Sequence, residues 1–165
     1  SILHYRPGHP HGFHTHMFAG QVHVAKALYD PTGAFEKLKE QVKVYPPKLR
    51  EFLIREFNWQ IDVALASSEK SATRGETYYV AGSLFECAAC LVQMLFALNE
   101  KYFTNEKGSV DLVETFALKP KEFATRVHGA LGNLGRTAGE LEERLETFGK
   151  LAEETRALCE IEGLL

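Results

Sequence analysis

Apolar residues recur along this chain with two different rhythms, and the change falls near residue 30. Before it the pattern is short-range. Ile2, His4 and Arg6 alternate with Leu3 and Tyr5, residues 7–12 form a Pro/Gly/His turn, and residues 13–17 and 21–28 read as short extended runs. This predicts two or three strands, too few to be stable alone, and the expectation is the tail end of a larger sheet. From Pro31 onward the period is helical. The turn at residues 29–33 opens a helix over 34–44, and Pro46-Pro47 stops it and presets the first turn of the next. That second helix spans 47–73, with Leu49, Leu53, Phe57, Ile61 and Leu65 on one stripe. After Arg74-Gly75 a helix over 76–103 is apolar nearly all round, as the central helix of a bundle would be. A short segment at 110–118, a helix to about residue 131 begun by Pro120, and a last helix over 138–160 complete the chain. The predicted fold class is therefore mainly α: a bundle of about four main helices, residues 31–165, preceded by a short β remnant, residues 1–30.

Composition narrows the function classes. A 45% hydrophobic, 25% charged chain of 165 residues excludes disorder. The net charge of −3 argues against a nucleic-acid partner. Three cysteines, Cys87, Cys90 and Cys159, are odd in number and too few for a disulfide framework, which points to free thiols and a cytoplasmic setting. The stretch at 78–98 is apolar but holds Gly82, Ser83, Glu86 and Gln93, so it reads as a buried helix and no membrane partner is expected.

Three constellations carry candidate chemistry. His4, His9, His11, His14, His16 and His23 crowd the N-terminal region, and His14 and His16 would share one face of a strand and could ligate a metal. The competing reading is polar residues on an exposed sheet, because no zinc-ligand spacing accompanies them. Cys87 and Cys90 match C-x-x-C but sit inside an apolar helix, where small residues serve close packing better than redox chemistry. Finally, Tyr79, Glu86, Gln93 and Glu100 recur at sevens and form a polar row on the central helix. A buried Glu86 needs a cation, a donor or a ligand. It is either a general base or one half of an ion pair with Arg50, Arg55 or Arg126.

Two segments carry a family resemblance. Residues 11–33, ending in Leu28-Tyr29-Asp30-Pro31-Thr32-Gly33, resemble the closing strands of a polymerase-β-type nucleotidyltransferase. Residues 72–79 (Ala-Thr-Arg-Gly-Glu-Thr-Tyr-Tyr), with 95–103 (Leu-Phe-Ala-Leu-Asn-Glu-Lys-Tyr-Phe) and Glu106-Lys107, resemble the helical C-terminal domain of small-molecule nucleotidyltransferases of the kanamycin type. The resemblance implies transfer of a nucleoside monophosphate from an NTP to a small-molecule acceptor, with Mg²⁺ held by the carboxylates of a G-S…D-x-D motif. That motif is absent here. Gly82-Ser83 has no D-x-D after it, and Gly108-Ser109 is followed by Asp111 and Glu114 at the wrong spacing. The implication is a substrate-binding, lid-forming portion that is inactive alone and holds no cofactor of its own, Mg²⁺ and NTP belonging to the intact enzyme. By the same resemblance Glu86 is the candidate base, and Glu76, Tyr79, Gln93, Asn99, Tyr102 and Lys107 line the acceptor or triphosphate pocket. For Asn99 and Tyr102 a helix C-terminal cap and an aromatic plug are the alternatives. An apolar bundle without its sheet should expose a patch that pairs two chains into a homodimer. The rival from another class is a non-enzymatic helical interaction module, comparable to the antitoxin's partner in a toxin–antitoxin pair.

Overall fold

The computed structural model of the protein describes residues 14–165. The alternation at residues 2–6, the turn at 7–12 and His4, His9 and His11 lie outside the described residues. Within them the chain forms helices α1 (Met17–Val24), α2 (Ala34–Gln41), α3 (Pro47–Thr73), α4 (Thr77–Leu98), α5 (Ser109–Val113), α6 (Phe123–Gly132) and α7 (Ala138–Ile161), and no strand.

α3 and α4 form an antiparallel hairpin that is the trunk of the molecule, and α7 packs along both. Local chemistry sets the limits of α3. Pro47 occupies its first turn, where the missing N–H is no loss. Gly75, at φ +70°, takes the left-handed position that ends it, with Glu76 N–H donating to Ser71 O at 2.9 Å. α4 supplies most of the core: every residue from 90 to 98 is buried. It is long and apolar enough to cross a bilayer, but most of that surface is covered by the bundle. Cys87 and Cys90 lie within it, free and buried, and burial pushes both thiols well above their usual range. Neither is a thiolate at neutral pH, so the close-packing reading of the C-x-x-C pair is the one the structure supports.

α7 opens with a capping box. Thr137 Oγ1 accepts from Glu140 N–H, and the Glu140 carboxylate accepts from the N–H groups of Arg136 and Thr137. Those donors hold the Glu140 carboxyl at about 2. Arg156 of α7 then ties the helix to α3 through Asn58 at 2.6 Å and through Asp62.

The largest departure from expectation is at residues 14–30. The extended run expected at 21–28 is instead α1 through Val24, followed by a non-helical connection. Packing decides this. Met17, Ala19 and Gly20 are buried, and Gly20 lies so close to the loop after α4 that a Cβ there would stand 2.8 Å from Phe103 O and Thr104 Cγ2. Tertiary context thus overrides a weak local preference. Further corrections concern length. The helix expected over 34–44 ends at Gln41, because Val42 turns into the core. The helix expected to reach 103 ends at Leu98. The short segment at 110–118 contains most of α5, up to Val113, and the helix expected from Pro120 starts at Phe123, after Glu122 at φ +55°.

Candidate functional site

A cleft of about 870 Å³ opens at the end of the hairpin where α4 stops. Four separate segments wall it: the end of α1, the connection after α2, residues 96–102, and α5 with the residues that follow.

The end of α4 is the keystone. Glu100 N–H donates to Ala97 O at 3.0 Å and Lys101 N–H to Phe96 O at 2.9 Å, the 5→2 and 6→1 pair that closes a helix around a left-handed residue. That residue is ordinarily glycine; here it is Glu100 at φ +53°. Strain of this kind persists only where surroundings fix it. Asn99 caps the helix. Its Nδ2 donates to Leu95 O and Leu118 O, both at 2.8 Å, and its Oδ1 accepts from Leu118 N–H at 3.0 Å. Arg50 reaches across from α3, donating to Leu98 O at 2.6 Å and pairing with Glu100 at 3.5 Å and Glu162 at 3.3 Å. A guanidinium there offsets the negative end of the helix dipole.

One wall of the cleft is aromatic. Tyr102 stacks on Tyr45 at 4.8 Å and on His23 at 5.0 Å, and its hydroxyl donates to Val44 O at 3.3 Å. Burial pushes both phenols up, so they are neutral hydrogen-bonding groups and not bases at neutral pH. Lys43 and Lys101 add two ammonium groups. Aromatic rings, here tilted at 39° and 42° to one another, and flanking cations can bind an anionic aromatic molecule by ring contact and by charge.

The sequence-predicted residues fall in different places. Asn99 and Tyr102 line the cleft, and they also act as the cap and the plug that were their alternatives. Gln93, two turns earlier, is sealed in the core, where His16 Nε2–H donates to Gln93 Oε1 at 3.1 Å. Glu86 is half-buried and makes no hydrogen bond or ion pair among the described residues; of its three expected partners, Arg50 and Arg126 engage other carboxylates. Glu76 is exposed near Arg74 at 3.9 Å, Tyr79 is half exposed, and Lys107 is an exposed loop residue. The row at sevens therefore holds along α4 only from Tyr79 through Glu86 to Gln93, in three different environments, and Glu100 lies beyond the helix end. Reading by spacing missed His23 as a cleft residue, and it missed Lys43, Tyr45, Arg50 and Lys101 because they come from separate segments.

His14 and His16 are buried, with ring centroids 5.4 Å apart. Burial, with His14 adding to it, lowers the His16 pKa from 6.5 to about 4, so His16 is neutral. Among the described residues no three His, Cys, Asp or Glu side chains converge as a metal ion requires. Among the described residues neither the histidine pair nor the carboxylates make a two-metal centre.

No curated protein and no solved structure matches the chain. A family model does: Domain of unknown function (DUF4037), over residues 15–107, a span that takes in α1 to α4 and three of the four walls of the cleft. Covering more than half of the sequence, that match places the protein in the DUF4037 family.

Proposed function

We propose that the chain is the substrate-binding, lid-forming helical portion of a nucleotidyltransferase that moves a nucleoside monophosphate from an NTP to a small-molecule acceptor, in a cytoplasmic setting. The observation that carries this reading is the cleft itself: Asn99 and Tyr102, from the segment that resembles such enzymes, share it with Lys43, Lys101 and His23. Rings at one side suit a nucleobase, and ammonium groups suit a polyphosphate. In this reading the cleft holds the nucleotide, and the acceptor's base and the Mg²⁺-holding carboxylates are supplied by residues other than those that line it, since Glu86 stands about 20 Å along α4 from Asn99. The chain is then a binding and positioning element and not a complete catalyst.

Isothermal calorimetry of the chain with each of the four common NTPs and Mg²⁺ tests it. Saturable heat is expected, with Tyr102→Ala and Lys101→Ala each weakening the interaction about tenfold, the equivalent of one lost charge-assisted or stacking contact. No heat with any NTP would refute the reading. A second reading, the non-enzymatic interaction module, is favoured by the outward stripe of α3, where Phe52, Trp59 and Val63 are exposed at helical spacing. It predicts no NTP binding and a self- or hetero-association lost in Trp59→Glu.

A further inference from the structure

A second cavity lies beyond the cleft. Phe96 lines the cleft, Phe103 lines this cavity, and the two rings meet edge to face at 5.2 Å, so a wall of two aromatics divides them. The cavity encloses about 210 Å³ between α4, α5 and α6. Val92, Val110, Val127 and Leu131 form its interior, and Ala88 and Ala89 on α4 leave the space that larger side chains would fill. It opens to solvent on one side, where Phe85 and His128 are exposed, and nearly all of its lining surface is apolar. It is also the kind of space that takes up a small apolar molecule: an engineered apolar cavity of about 150 Å³ admits benzene. On that scale the present volume suits a single ring with a short substituent, about eight or nine non-hydrogen atoms.

Charge at the opening selects the substituent. Glu106 lines the cavity, and His128, also lining it, is held by Asp111, with Nε2 and Oδ1 3.0 Å apart. No Lys or Arg is among the lining residues. Glu106 has contacts of its own within the fold, but a carboxylate offers about four acceptor positions, so an ammonium can be added to them. Ser109 does not make a hydrolytic centre with His128 and Asp111, because its hydroxyl donates to Glu106 O at 2.7 Å.

We infer that the cavity between α4, α5 and α6 is a binding site for a small monocyclic amine, with the ring among Val92, Val127 and Leu131 and the ammonium at Glu106. This goes beyond the nucleotide reading of the cleft and does not depend on it.

Methyl-resolved NMR titration of the whole chain with three probes of equal size, benzylammonium, benzyl alcohol and benzoate, tests the inference. Shifts of the Val92, Val127 and Leu131 methyls are expected, with benzylammonium binding about tenfold more tightly than benzyl alcohol and benzoate weakest. Glu106→Gln should bring benzylammonium down to the level of benzyl alcohol and leave the alcohol unchanged. Ala89→Phe, placed to fill the void from a half-buried position, should abolish both, and Ala89→Leu serves as a second filling variant should the larger side chain disturb the fold. Absence of shifts with all three probes, equal binding of benzoate, or undiminished binding in a folded filling variant would overturn it.

Discussion

The two ends of the α3–α4 hairpin are closed by the same pattern of backbone bonds and differ in almost everything else. At one end α3 stops around Gly75, a residue with no Cβ to strain, and two residues later α4 begins. Tyr78 and Tyr79, in the first turn of α4, are exposed there. At the other end α4 stops around Glu100, held in the left-handed region by Arg50 and by the cap that Asn99 makes with Leu118. Next to it are the cleft, the aromatic stack and the buried His16–Gln93 bond. A glycine turn folds by itself; a glutamate in the same geometry needs neighbours from distant segments, and those neighbours also form a concave surface. Strain kept in place by surroundings is a common attribute of ligand sites.

The comparison can be broken or sharpened by three measurements. The largest effect is expected from pH, and only at the cleft end. The folded-state pKa of His16, about 4, lies below its ordinary 6.5. The unfolded chain therefore binds the extra proton first. Stability from this residue is complete above pH 6.5 and drains away as pH falls towards 4, by up to about 3 kcal/mol. Urea unfolding between pH 7.5 and 4 measures the slope, and His16→Gln should flatten it. A slope unchanged in that variant would assign the acid sensitivity elsewhere. A smaller effect belongs to the turn end: Gly75→Ala puts a Cβ on a residue at φ +70° and should destabilise by about 1 to 2 kcal/mol, read from the urea midpoint at pH 7.5. Smallest is Glu100→Gly. It relieves the left-handed strain but gives up the Arg50 pair and gains chain entropy in the unfolded state. The net change should be under about 1 kcal/mol in stability, while on the proposed nucleotide reading the affinity falls as the cleft loses its fixed wall. Destabilisation as large as that of Gly75→Ala would show that Glu100 is not strained in the sense argued.

The same pair of helix ends explains what could be read in advance. α3 was legible at both limits, since Pro47 and Gly75 punctuate a clear 3.6-residue stripe, and α7 nearly so, with Thr137 and Glu140 at its start and Gly163 after its end. α4 was read five residues too long, because Glu100 gives no stop signal and the apolar pattern runs on through Phe103. Asn99 and Tyr102 could be singled out by residue type. Their partners could not, because Tyr45, His23 and Leu118 meet them only across the fold.

By itself the sequence determined that this is a mainly helical chain, with α3 and α7 in place and α4 at the centre, because periodicity, proline, glycine and capping residues act within a few residues of where they stand. Tertiary structure alone decided that residues 17–24 are helix and not strand, that α4 stops at Leu98, and that Gln93 is sealed while Tyr102 is open to the cleft. Those outcomes rest on close approach and on hydrogen bonds between distant segments, such as Gly20 against Phe103 and Asn99 to Leu118, and local pattern carries no record of them.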